Sequence, residues 1–333
     1  MKRRLSTLLF LLGLLVACTS LYSCKSKADD MDRNERLLLL DAKIKQNPND
    51  ASLYYERGKV LLELEKVNDA ISDLTKAVNL DNSKVEYFTA LGDAYYMNGN
   101  IGESYAALQK ALTLDSKNIE ALLKMGEISF ISKDYDRAME TLSKVTEIEA
   151  DNIKAYQIKG FIYKETGDTA NAIFYFRKIV DLHPDYVPAY EELGMIYAQH
   201  KDPLAIEYFN TAIQLQPDNS NALYGMAMLY QDLENADKAN EYYTRILELD
   251  PMNRYAWFNR GYMEMVLYED YDAAIEFFTK AIDCDNQYYE AHYNRGYSYE
   301  LKGDRSNARI CYQTTLQIAP DYQPAKEALA RVQ

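Results

Sequence analysis

Four cysteines, three histidines and thirty tyrosines are the side chains of this 333-residue sequence with the most chemistry to offer. Thiols can be acylated, oxidised or used as metal ligands, and imidazoles carry protons or hold zinc. Spacing removes most of these options. His183, His200 and His292 stand far apart and none has a second ligand at metal-binding spacing. The sequence has no glycine-rich phosphate loop, nucleophile elbow or zinc motif. It therefore points to no metal, no cofactor and no enzyme activity. Cys18 and Cys24 differ from the other thiols because both lie just behind a short apolar run near the start of the chain.

That run has a recognisable order. Lys2, Arg3 and Arg4 precede an apolar stretch from Leu5 to Ala17. A basic start and a short apolar core make a secretory signal, and the stretch is shorter than the roughly 20 residues that span a bilayer. Leu15-Val16-Ala17-Cys18 then resembles the lipobox of bacterial lipoproteins, with Leu21-Tyr22-Ser23-Cys24 as the alternative. The resemblance implies a signal peptide over 1–17 (alternatively 1–23), a lipidated Cys18 (alternatively Cys24) and a flexible tether over 18–32. Acyl chains such as palmitate would then hold the protein in a bacterial cell envelope, at the outer membrane facing the periplasm or the surface. Each buried CH₂ contributes about 0.8 kcal/mol, so several chains on one cysteine suffice.

The composition is globular: 26% charged, 48% hydrophobic, 13 Gly and 8 Pro. A net charge of -14 excludes sequence-independent nucleic-acid binding, which needs basic surface. The same charge opposes docking on anionic lipid through surface electrostatics. Tyrosine combines an apolar ring with a polar tip, so its abundance suits a protein that is mostly surface.

Positioning elements come from self-similarity. A small residue recurs at Gly58, Gly92, Gly126, Gly160, Gly194, Ala227, Gly261 and Gly296, mostly 34 residues apart. A second small series follows at Ala70, Ser104, Ala138, Ala172, Ala205, Ala239, Ala274 and Ala308. Four residues after each stands a large side chain: Leu74, Leu108, Leu142, Phe176, Phe209, Tyr243, Phe278 and Tyr312. Small residues facing small residues would let paired helices approach, and the large ones would fill the flanking grooves. A hairpin this short cannot bury its apolar faces alone, so hairpins must stack. Asn49-Asp50, Asp185, Asp218-Asn219, Asn253 and Asp321 are placed to cap helix starts.

The pattern resembles the tetratricopeptide repeat, with Gly at position 8, Tyr at 11, Ala at 20, a large residue at 24 and Pro at 32. It covers 51–322 as eight units. The resemblance implies an all-α fold, a right-handed superhelical solenoid of helix-turn-helix hairpins. A capping helix over 33–48 would turn Leu37, Leu38, Leu40 and Ile44 to the first unit, and a second cap would cover 323–333. Four units lack the proline at position 32, carrying Asn82, Ser116, Ala150 and Asn286 instead. The fifth unit is one residue short around 200–204, and the seventh is one long around 268–271. Cys284 and Cys311 fall about 10 Å apart along adjacent helices in this register, so free thiols are expected rather than a disulfide.

In this family the first helix of each hairpin lines a groove through positions 2, 5, 9 and 12. Here those positions hold Tyr96, Phe130, Phe161 and Met195, then a denser set: Tyr224, Met228, Tyr255, Phe258, Tyr262, Tyr293 and Tyr297. Aromatic side chains in a groove anchor peptides and partner helices; the same rings could instead pack between hairpins. Arg260 and Arg295 sit in matching Asn-Arg-Gly triplets, available to a partner's carboxylates or to acids of the chain itself. The functional expectation is an envelope adaptor that binds a partner peptide or helix, with other envelope proteins as partners. The alternative is a lipoprotein that binds a glycan or another small ligand.

Overall fold

The computed structural model describes residues 26–333. Cys18, Cys24, the signal peptide and most of the expected tether lie outside the described residues. The described chain is a succession of eighteen α-helices, and it divides into two compact units, 1–162 and 163–333.

The first unit begins with α1 (Ser26–Gln46). Three antiparallel hairpins follow: α2 (Ala51–Glu63) with α3 (Val67–Leu80), α4 (Val85–Met97) with α5 (Ile101–Leu114), and α6 (Ile119–Ile131) with α7 (Tyr135–Ile148). The unit boundary falls within α8 (Ile153–Thr166). The second unit continues with α9 (Thr169–Leu182) and four hairpins: α10 (Val187–Gln199) with α11 (Leu204–Leu215), α12 (Ser220–Asp232) with α13 (Ala236–Leu249), α14 (Arg254–Met263) with α15 (Tyr271–Cys284), and α16 (Tyr289–Leu301) with α17 (Arg305–Ile318). α18 (Gln323–Arg331) closes it.

The large series at position 24 is the core: Leu74, Leu108, Leu142, Phe176, Phe209, Tyr243, Phe278 and Tyr312 are all essentially inaccessible. The packing differs in one respect from small against small. A methyl group on Gly58 would meet Leu74 Cγ at 2.7 Å, so the glycine seats the large residue directly rather than only letting backbones approach. Phe209 shows the same device twice, lying against Gly194 of its own hairpin and Gly225 of the next. A buried ring needs a flat recess on each side, and a missing Cβ provides it.

A second device ties five of the eight hairpins to the turn before them, wherever position 4 carries a polar ring atom. The large residue at position 4 donates to the carbonyl six residues earlier: Tyr54 to Pro48 at 3.1 Å, Tyr156 to Ala150 at 2.7 Å, Tyr190 to Pro184 at 3.1 Å and Trp257 to Pro251 at 2.9 Å. The acceptor is backbone, so the bond survives where Ala150 replaces proline. His292 takes the same slot, with Nε2 3.1 Å from the Asn286 carbonyl. Burial lowers its basicity, so it is a packed, neutral ring.

Capping follows the sequence at Asp50, Asn219 and Asn253, whose side chains accept from Ser52, Ala222 and Ala256 amides. Asn118 and Asn152 do the same at α6 and α8. Asp185 and Asp321 do not cap. α10 and α18 have Tyr186 and Tyr322 as their N-caps and a proline in the first turn, which needs no acceptor at its own nitrogen.

Two further expectations are corrected. α1 begins at Ser26, inside the stretch read as tether, because no Gly or Pro interrupts 26–46. On it Ile44 is buried and Leu37 and Leu40 are half-buried, but Leu38 is exposed. The stripe follows i, i+3, i+7, which leaves Leu38 about 100° round the helix. Arg57 then clamps α1 to the first hairpin, reaching Asp73 at 2.6 and 2.7 Å and Asp41 at 2.7 Å.

Candidate binding face

α14 carries the densest part of the expected face. Asn253 caps it and Trp257 pins it to Pro251, which fixes the directions of Tyr255, Phe258 and Tyr262. Tyr255 and Tyr262 are seven residues apart, hence on one side of the helix. They are 48% and 39% exposed. Phe258, between them in sequence, turns inward against Phe278 (5.4 Å between centroids) and Tyr288 (5.1 Å).

The other expected residues are mostly woven into packing. Tyr224 accepts from Asn259 Nδ2 at 2.9 Å, and its ring stands edge-on to Tyr243. The Tyr243 hydroxyl donates to Gln231 at 3.0 Å and lies 3.2 Å from Met228 Sδ. Burial pushes the Tyr243 phenol above its ordinary range. Tyr293 lies 5.6 Å from Tyr312 and 5.3 Å from Tyr322, and is stacked parallel to Tyr297 at 6.5 Å. Tyr297 also packs on the Met265–Phe278 cluster. The geometry thus separates two exposed rings, Tyr262 and Tyr255 (the latter edge-on to Tyr288 at 5.9 Å), from five side chains that are more deeply packed.

Arg254 frames the presented pair. It forms an ion pair with Asp285, donates to the Tyr255 hydroxyl at 2.7 Å and lies over the rings of Tyr255 and Tyr288. Tyr255 is therefore held rigid while exposed, which lowers the entropy cost of using it as an anchor. Arg260 and Arg295 form no ion pair among the described residues, although the Glu264 and Glu276 carboxylates act on Arg260 electrostatically. Arg260 stacks on Phe277 at 4.4 Å, and Arg295 donates to Thr279 at 3.2 Å. The Nε of each is buried without an acceptor.

In the first unit the same face carries charge in place of most of the aromatic rings. Lys124 Nζ lies 3.1 Å from Glu127, 3.6 Å from Asp93 and 4.4 Å from the Tyr96 ring centroid. Lys154 reaches Glu127 at 3.2 Å, and Tyr96 donates to Glu127 at 3.1 Å. Burial raises the Asp93 carboxyl above its ordinary range, with Lys124 only partly offsetting it. Burial also works against ionised Glu127, yet the ammonium groups of Lys124 and Lys154 hold it below its ordinary range. The signal was in the sequence, as acids and lysines at positions 2, 6 and 9 of successive units.

Cys284 and Cys311 are both free thiols. Among the described residues no three His, Cys, Asp or Glu side chains gather as a metal site. No described helix is long and apolar enough to cross a membrane.

Tetratricopeptide repeat family models match residues 58–99, 95–160, 153–186, 224–289 and 289–322. With the hairpin stacks and glycine-seated cores, these matches place the chain in the tetratricopeptide repeat family, as an all-α helical-hairpin solenoid. Such a fold is that of a scaffold for protein–protein interaction. Among solved structures, a tetratricopeptide repeat protein from Parabacteroides merdae is 15% identical, with a TM-score of 0.55 over 74% of this chain and 98% of that one. Pseudomonas aeruginosa pilF is 21% identical, with a TM-score of 0.52 over 60% and 92%. The Cut9–Hcn1 assembly of the APC/C is 17% identical, with a TM-score of 0.51 over 87% and 57%. These are likenesses of fold. No curated protein matches the sequence.

Proposed function

We propose that the protein is a lipid-anchored adaptor of a bacterial cell envelope that binds a partner peptide or helix across the first-helix face of the second unit. The observation that carries the binding part is the pair Tyr255 and Tyr262, exposed on one side of α14 with Tyr255 braced by Arg254. Two exposed rings about 10.5 Å apart along a helix suit two turns of a partner helix. The engaged rings around them supply a firm floor. The anchoring part rests on the lipobox-like Leu15-Val16-Ala17-Cys18, with Cys24 the alternative acceptor, and the location proposed with it is the outer membrane, facing the periplasm or the surface.

A crosslinked pull-down from the membrane fraction tests the binding part, comparing wild type with Tyr255→Ala/Tyr262→Ala. Loss of the captured protein from a variant with unchanged thermal midpoint supports it, and retention refutes it. Labelling with palmitate tests the anchor: Cys18→Ser should abolish incorporation and Cys24→Ser should not. Incorporation that survives in Cys18→Ser moves the anchor to Cys24 or removes it.

A further inference from the structure

The turn between α14 and α15 is unlike the others. Elsewhere in the second unit the turn closes with an amide donating five residues back: Asp202 to Tyr197, Asn235 to Tyr230 and Asp304 to Tyr299, at 2.8–3.0 Å. Here the Asp270 amide reaches six residues back to Glu264, at 2.9 Å. The extra residue is therefore absorbed before Asp270, as a π-helical turn over Glu264–Tyr268 followed by left-handed Glu269, and not around 268–271 as the register suggested. Inserted residues of this kind are frequent at functional sites.

The insertion changes what the turn shows to solvent. Met265 is buried, while Val266, Leu267 and Tyr268 are 47%, 38% and 46% exposed. Corresponding three-residue stretches, such as Ile131-Ser132-Lys133, Asp232-Leu233-Glu234 and Leu301-Lys302-Gly303, hold no more than one apolar residue. Tyr268 is fixed, its hydroxyl donating to Asp237 at 2.7 Å. Around the apolar run stand Glu264, Glu269 and Asp270, none in an ion pair among the described residues. Asp270 caps α15 through the Ala273 amide. Lys302 is committed to Asp272.

We propose that this turn is a docking site for a partner segment that carries large apolar side chains flanked by lysine or arginine. Three apolar side chains exposed side by side favour an apolar cover, and the exposed carboxylates of Glu269 and Asp270 at their edge, neither in an ion pair among the described residues, select cations beside it. A second copy of a chain with net charge -14 would bring like charge to the same place.

The test uses the full chain and two labelled amphipathic peptides of equal length, one of leucine and lysine, the other of leucine and glutamate. Fluorescence anisotropy should show the lysine peptide binding at least tenfold more tightly. Val266→Ser/Leu267→Ser should weaken it about tenfold, while Ile131→Ser/Leu301→Ser should not. If the turn variant fails to fold, a photo-crosslinking residue at 267 should capture the lysine peptide and one at 301 should not. Equal weakening by both variants, equal binding of both peptides, or equal capture at both positions overturns the site. So does a wild-type dimer in sedimentation that Val266→Ser/Leu267→Ser dissolves, which would assign the turn to a second copy.

Discussion

The first-helix faces of the two units use the same repeat positions for opposite chemistry. In the first unit Asp93, Lys124, Glu127 and Lys154 form a charged network around Tyr96, in which Glu127 is well partnered and Asp93 Oδ1 is buried without a hydrogen bond. In the second unit the face is aromatic, and two of its rings are left over after packing. Beneath both lies one construction, a glycine seating a large side chain. The contrast teaches that the repeat fixes the core and leaves the face free to vary. Chemistry on that face is informative only where it is not consumed by neighbours.

The largest effects should come from the shared core and be alike in the two units. Leu108→Ala and Phe278→Ala should each destabilise by about 3–4 kcal/mol in denaturant unfolding, since both side chains are fully buried. A cost near 1 kcal/mol in either would mean that its hairpin is loosely packed and the common construction fails there. Next, Arg57→Met should cost about 2 kcal/mol, between surface and buried ion pairs, by leaving mostly buried Asp73 unpaired. No loss would show that α1 is not clamped.

Smaller effects separate the two carboxylates of the charged face by sign. The Asp93 carboxyl is raised in the fold, so its contribution to stability is present below the unfolded value of about 3.8 and lost as pH rises through the folded value. Asp93→Asn should therefore stabilise at pH 7 by up to about 1 kcal/mol, with the gain vanishing in acid. The Glu127 carboxyl is lowered, so its contribution is present above about 4.5 and lost as pH falls through the folded value. Glu127→Gln should destabilise at pH 7 by a similar amount and become neutral in acid. Thermal melts of both variants between pH 3 and 7 would check the signs, and like signs would refute the network.

The core was legible in the sequence because the repeat imposes one distance law on it. Gly58 and Leu74 are 16 residues apart, and Gly92 and Leu108 repeat that spacing. The face was only half legible. Phe258 cannot be distinguished from Tyr255 by position alone, since its fate is set by Phe278 and Tyr288, twenty and thirty residues on. The Arg57 clamp depended on Asp41 of a helix outside the repeat. Counting residues revealed the long seventh turn but could not locate the extra residue, because a π turn absorbs it without disturbing either flank.

The central claim is that binding belongs to the rings left over in the second unit. Crosslinked capture from membranes should compare wild type with Tyr255→Ala/Tyr262→Ala and with Lys124→Ala/Lys154→Ala, all verified by thermal midpoint. The account predicts that the captured partner disappears only from the tyrosine variant. Capture that survives there, or fails only in the lysine variant, would contradict it and move binding to the charged face.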